Sequence, residues 1–276
     1  MPSPNSISPD RLYRLIGTPN APAIIDVRAE AAFTANPVLI PGSAWRPHET
    51  APDWASQFAG RSAIVTCAHG HALSEGAAAW LRQLGVPAEI LEGGIEAWRA
   101  AGLPLLRTGK LPPRDQHGRT IWVTRSRPKI DRIACPWLIR RFVDPLAIFL
   151  FVAPSEAGAV AEKFGGVPFD IDGVFWSHRN ELCTFDVMLE EFGIGTEPLK
   201  HLARIVRAAD TARLDLAPEA AGLLAASLGL SRMYADDLEQ LEAGMGLYDA
   251  FYRWARDATG ETHNWPSHSP KRPAHE

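Results

Sequence analysis

Apolar positions change their rhythm near the middle of the chain. In residues 1–106, short β-branched runs such as Ala23-Ile24-Ile25-Asp26-Val27 and Ala63-Ile64-Val65-Thr66 stand apart from stretches with helical spacing. Continuous apolar runs of this length predict strands buried on both faces of a parallel sheet. Glu89-Ile90-Leu91 is a third such strand. Ala77, Trp80, Leu81 and Leu84 recur at three- and four-residue steps, predicting a helix over Ser74 to Leu84 that Gly85 stops. Strand, helix and strand with short connections make a small α/β domain.

Residues 107–119 turn to Gly, Pro and charge, including Gly109-Lys110-Leu111-Pro112-Pro113-Arg114, and read as a linker. A second domain over 120–266 opens with strands at Thr120 to Val123 and Ala147 to Val152. Helices follow at Leu199 to Ala209, Pro218 to Leu228 and about Tyr234 to Asp257. In the last of these, Leu238, Leu241, Met245, Tyr248, Tyr252 and Ala255 form one stripe. Asp236, Asp237 and Glu239 near its start, and Arg253 and Arg256 near its end, suit the helix dipole. The expected fold is therefore α/β: a parallel-sheet domain followed by a mostly helical α+β domain. A Pro- and Ser-containing tail over 267–276, with His268 and His275 at its edges, is expected to be disordered.

Composition narrows the function. At 276 residues and 46% hydrophobic content the chain can bury two cores. A formal charge of −4 and a pI of about 6.1 supply no overall positive field, which argues against nucleic acid as a partner. Cys67, Cys135 and Cys183 make neither a paired framework nor a CxxC, which suits a reducing compartment. Met1 to Asp10 lacks an apolar signal core, and no apolar run reaches the ~20 residues of a membrane span. The expected location is the cytoplasm, with no membrane partner.

Cys67 carries the chemistry. It ends the run Ala63 to Thr66 and opens the loop Ala68-His69-Gly70-His71 ahead of a helix. Convergent loop N–H groups and a helix N-terminus favour a thiolate and cradle an anion. Asp26-Val27-Arg28 with Glu30 and Phe33, the turn Ile40-Pro41-Gly42-Ser43, and Leu91-Glu92-Gly93-Gly94-Ile95-Glu96-Ala97-Trp98 with Gly102 and Pro104 together resemble a rhodanese domain over about residues 7–106. The resemblance implies that Cys67 takes a sulfane sulfur from a small donor as a persulfide and passes it to a thiol acceptor, as a sulfurtransferase does. Rhodanese loops usually carry an arginine about five residues after the cysteine, where Ala72 and Leu73 stand here. Without that guanidinium a thiosulfate dianion should bind poorly, leaving His69, Gly70 and His71 to shape the anion pocket. Solvated loop histidines are the alternative reading of His69 and His71.

The stretch Trp122 to Phe142, together with Cys183-Thr184-Phe185-Asp186, Ala208-Ala209-Asp210-Thr211, Leu228-Gly229-Leu230-Ser231 and His263-Asn264-Trp265-Pro266, resembles the C-terminal domain of the chromate-resistance protein family. That resemblance implies a role in sensing or detoxifying chromate. Arg125, Arg127, Lys129 and Arg132 are candidate ligands for chromate or a similar oxyanion, or alternatively a solvated basic segment. Cys135 precedes Pro136, which predicts a helix start with the proline in its first turn and a buried structural thiol. His178, Cys183 and His263, with Asp186 nearby, suit a Zn or Fe site, although an exposed His178 and a buried Cys183 satisfy the same spacing. The expectation is a persulfide carrier joined to an oxyanion-handling domain. Its rival is a non-catalytic oxyanion or metal sensor, or a chromate-responsive regulator, with an inactive rhodanese domain.

Overall fold

The computed structural model describes residues 5–262, so His263, His268, His275 and the expected tail lie outside the described residues. The first half runs β1 (Ser6–Ile7), α1 (Pro9–Leu15), β2 (Ala23–Asp26), α2 (Glu30–Ala35), β3 (Val38–Leu39) and β4 (Ser43–Trp45). It continues through α3 (Ala51–Trp54), β5 (Ala63–Thr66), α4 (Ala72–Gln83), β6 (Ala88–Leu91), α5 (Gly94–Ala100) and β7 (Leu106–Arg107). Five strands form one parallel sheet in the order β1-β6-β5-β2-β4. In β2 and β5 every residue is buried, and Ile24 lies beside Ile64 and Ile25 beside Val65. The runs without polar alternation are thus the centre of the sheet, as two-sided burial requires. Because the strands are parallel, Asp26 and Cys67 emerge at the same, carboxyl-terminal, edge. Ligands bind at that edge in open α/β sheets.

The second half runs β8 (Ile121–Arg125), α6 (Asp131–Leu138), β9 (Ile148–Val152), α7 (Ala157–Phe164) and β10 (Val167–Pro168). Four longer helices follow, α8 (Thr184–Phe192), α9 (Glu197–Asp210), α10 (Ala220–Met233) and α11 (Asp237–Asp257). Its sheet has three parallel strands in the order β10-β8-β9. Helix α11 starts at Asp237 rather than at the expected Tyr234, because Asp236 caps it and accepts the N–H groups of Leu238 and Glu239. Leu241, Met245, Tyr248 and Tyr252 are buried, while Leu238 in the first turn is 50% exposed.

Pro136 is not in a first turn. Helix α6 begins at Asp131 and buries the proline in its interior, where its missing N–H leaves the ladder one bond short. The helix then widens into a π-turn over Ile139–Val143. Packing holds this irregular element: Trp137 Nε1 donates to Asp249 Oδ1 at 2.8 Å, and Tyr248 Oη donates to the Ile130 carbonyl at 3.0 Å.

Residues 107–119 are not a free spacer. Arg107 pairs with Val38 in the antiparallel β3–β7 ladder, Arg114 bridges to Thr120, and Arg114 Nη1 lies 3.3 Å from Asp144 Oδ1. One apolar core also crosses the two halves, joining Leu12, Ile16, Trp98 and Leu106 to Trp122, Trp137, Phe142 and Tyr252. A smaller core lies under α4 and contains Ile25, Val65, Cys67, Ala77 and Leu81. Among the described residues, no helix is long and apolar enough to cross a membrane.

Candidate functional site

Cys67 is the first residue past β5, and α4 begins at Ala72, so four residues make the whole loop. Gly70 takes φ +73°, and a Cβ there would come within 2.6 Å of the Leu91 carbonyl oxygen and 3.0 Å of the Gly93 nitrogen. Only glycine fits that approach. The start of α5 grips the loop from beneath, with Ile95 N–H donating to the Cys67 carbonyl at 3.0 Å and Glu96 N–H to the Ala68 carbonyl at 3.1 Å. The thiol is 5% exposed, and Sγ lies 3.3 Å from Ser74 Oγ. Burial, the largest single influence, pushes the thiol pKa up. The Ser74 hydroxyl and the backbone N–H groups of His71, His69 and Ser74 together outweigh it, so the pKa is lowered. The His69 and His71 rings stand 6.3 Å apart, both residues exposed at the rim. Ala72 is exposed and Leu73 half-buried, so no guanidinium enters from the position where rhodanese loops carry one.

The Asp26-Val27-Arg28 signature is structural. Arg28 is buried, forks onto both oxygens of Asp26, and donates to the Val38 carbonyl at 2.7 Å and the Asn36 carbonyl at 3.2 Å. Trp45 Nε1 returns a bond to the Arg28 carbonyl. These contacts tie β2 to β4 and β3, and they shape the sheet edge from which Cys67 emerges.

In the second half the four candidate cations do not share one pocket. Arg125 Nη2 and Arg132 Nε lie 3.5 and 3.2 Å from Asp170 Oδ2. Arg127 donates to the Ser231 and Tyr234 carbonyls, and Lys129 is exposed. His178 is drawn to carboxylates rather than to Cys183. Its Nε2 lies 3.4 Å from Asp131 Oδ2, 3.5 Å from Asp170 Oδ1 and 3.2 Å from Asp210 Oδ2. Thr184 binds two of these acids, its N–H to Asp131 Oδ2 at 2.6 Å and its hydroxyl to Asp170 Oδ1 at 2.9 Å. Hydrogen bonds to Asp131, then Asp170 and Asp210, push the His178 pKa up to about 12. Burial pushes Asp131 up to about 7 against the opposing bond from His178. Asp170 is held low, because His178, Thr184 and the two arginines outweigh its burial.

Residues 8–101 match the family described as the rhodanese-like domain, and residues 122–255 match that described as ChrB, C-terminal domain. The chain joins a rhodanese-like domain to a ChrB C-terminal domain. It is similar to Protein ChrB of Cupriavidus metallidurans, 31% identical over 166 residues that make up 57% of this chain and 48% of that protein. The chain thus spans about half the length of the curated relative it matches. Among solved structures it is similar to a rhodanese-related protein from Thermoplasma volcanium, 29% identical over 37% of this chain and 97% of that one, with a TM-score of 0.33. A thiosulfate sulfurtransferase from Pseudomonas aeruginosa is 29% identical over 40% of this chain and 21% of its own, also with a TM-score of 0.33.

In the ChrB-type domain the remaining thiols are buried and held in the protonated form. Cys135 lies inside α6 and Cys183 at the N-cap of α8, both at 0% exposure, and burial followed by the nearby Asp131 charge raises both pKa values well above an ordinary thiol. Of the set His178, Cys183 and His263, the structure brings only His178 into a cluster of ligating side chains, and His263 is outside the described residues. Asp170 went unread because it sits in a short acidic loop with no periodic signal. Asp131 and Asp210 lay inside the quoted signature stretches, yet only the packing of α6 on α9 turns them towards one another.

Proposed function

We propose that this protein is a sulfurtransferase-type persulfide carrier that uses Cys67, coupled to a domain that serves the handling of an oxyanion such as chromate. The observation that carries the reading is the thiol itself: Sγ sits under four residues of loop backbone, bonded to Ser74, with its pKa lowered despite burial. The thiolate attacks the outer sulfur of a persulfide or polysulfide donor, the donor S–S bond breaks, and the leaving sulfur departs as a thiolate. Cys67 then carries a terminal S⁻ facing the loop N–H groups. An incoming acceptor thiolate takes that sulfur and regenerates the Cys67 thiolate. Because Ala72 and Leu73 leave the loop without a guanidinium, persulfide and polysulfide donors are favoured over thiosulfate.

Intact and peptide mass spectrometry after incubation with thiosulfate, polysulfide or a persulfide donor tests this. The expected result is a reducible ~32 Da gain, one sulfur atom, on Cys67 with the latter two donors. Failure with every donor on reduced, accessible protein would favour the sensor reading, in which the rhodanese-like domain is vestigial. The oxyanion role rests on the resemblance of the second half, with the exposed Lys129 and Arg125, part-exposed although paired with Asp170, as the cations that would meet a dianion. Chromate titration of the wild type and of Arg125→Gln and Lys129→Gln checks it, and unchanged affinity in both variants would remove these residues from the role.

A further inference from the structure

Away from Cys67, one group of side chains converges from four separate segments of the chain. Asp131 in the first turn of α6, Asp170 in the loop after β10 and His178 in the connection to α8 place one ligand atom each within 4.8 Å of one another, and Asp210 ends α9 beside them. We propose that this cluster binds one divalent transition-metal ion of the Mn²⁺, Fe²⁺ or Zn²⁺ class, held by His178 Nε2 and carboxylate oxygens of Asp131 and Asp170, with Asp210 at the open side.

Hydrogen bonding alone does not explain the spacing. A single Nε2–H serves one acceptor well, yet Nε2 faces three carboxylate oxygens at 3.2, 3.4 and 3.5 Å. All three exceed the ~2.7–2.9 Å of a charge-assisted N–H···O bond. Ligand atoms that each lie ~2.1 Å from a common ion are separated by roughly 3.0 Å at right angles and 3.4 Å in a tetrahedron, close to the separation of Nε2 from each of the three oxygens.

A second observation is independent of that spacing. Asp131 is fully buried, its carboxylate turned into the cluster, and its Oδ1 has no hydrogen-bond partner among the described residues. Both of its polar contacts, Thr184 N–H and His178 Nε2, fall on Oδ2. A buried carboxylate oxygen left without a donor is costly, and a cation beside it removes the cost. The surroundings orient the ligands as outer partners do at metal sites: the Thr184 N–H and hydroxyl fix Asp131 and Asp170, and Arg132 and Arg125 hold the far oxygen of Asp170. Carboxylate oxygens with one imidazole suit Mn²⁺, Fe²⁺ or Zn²⁺ and not a soft ion such as Cu⁺. The His178 side chain is 41% exposed, so an ion can enter from that side.

The test uses the full chain, stripped with a chelator and titrated by calorimetry with Mn²⁺ or Zn²⁺, and with Fe²⁺ under anaerobic conditions. Bound metal is counted by elemental analysis. The expected result is one ion per chain and an affinity at least ~10-fold weaker in both His178→Ala and Asp170→Asn. His178 is exposed, so its variant keeps the fold, which circular dichroism verifies. His69→Ala/His71→Ala and Cys67→Ser should bind as the wild type does. The proposal is overturned if the wild type takes up none of the three ions, if the His178 and Asp170 variants bind them unchanged, or if the His69/His71 double variant alone loses binding.

Discussion

At the scale of single residues, Cys67 depends on Ser74. Burial works against the thiolate, and the Ser74 hydroxyl at 3.3 Å is the largest of the influences that reverse it. Ser74→Ala therefore raises the Cys67 pKa and reduces the thiolate share at neutral pH. Iodoacetamide alkylation of Cys67, followed by mass spectrometry against pH, should be slower in the variant near pH 7, and the two rates should converge above the ordinary thiol range of about 8.5. Equal rates at every pH would mean that the loop N–H groups alone set the thiol. Gly70 is the second test. Ala there meets both a positive φ and the Leu91 carbonyl, so Gly70→Ala should cost about 1–3 kcal/mol in urea unfolding and slow persulfide formation on Cys67. The loop that carries Cys67 and Gly70 was legible in sequence because its residues are contiguous. The acidic cluster was not, since Asp131, Asp170, His178 and Asp210 come from four segments that only the fold brings together.

At the scale of elements, β2 and β5 were readable because burial on both faces leaves a largely apolar run, and β6 less so because Glu89 interrupts it. β1, β4 and β10 were not, since two or three residues are too few to carry a period. Helix α6 misled for a different reason. Its proline signals a first turn, but tertiary contacts override the signal by burying Trp137 and bonding it to Asp249. Asp249 also takes both arms of Arg141 at 2.8 Å, so one carboxylate on α11 holds the helix and the π-turn that follows it. Asp249→Ala leaves the indole N–H and the guanidinium without that partner. It should cost roughly 2–4 kcal/mol by urea denaturation, less than a fully buried pair because Arg141 keeps some contact with water. Asp249→Asn, which retains an acceptor for Trp137, should recover part of the loss. A change within about 0.5 kcal/mol for Asp249→Ala would show that packing alone holds α6.

At the scale of the whole molecule, the rhodanese-like and ChrB-type domains are bound by more than the chain that joins them. Gly17, at φ +77° after α1, brings its backbone against the rings of Phe142 and Tyr252, and Gly42 N–H donates to the Phe142 carbonyl at 2.6 Å. The Phe142 ring in turn packs on Trp137 and Tyr252 at centroid distances of 5.7 and 5.4 Å. The π-turn that carries Phe142 is therefore the clamp between halves, and the core it joins is continuous from Leu12 to Tyr252. Two domains that share one core lose it together, so unfolding should be a single transition. Hydrogen exchange read by peptide across a urea series should give β5 and α11 the same midpoint. Phe142→Ala, which removes a buried ring from that core, should lower stability by about 3–5 kcal/mol and move both midpoints equally. If β5 stayed protected after α11 had opened, the smaller core under α4 would be sufficient to hold the Cys67 loop, and the rhodanese-like domain would be an independent folding unit. A coincident loss would instead make the reactivity of Cys67 depend on the integrity of the ChrB-type domain, because the strand that presents the thiol would not outlast the clamp at Phe142.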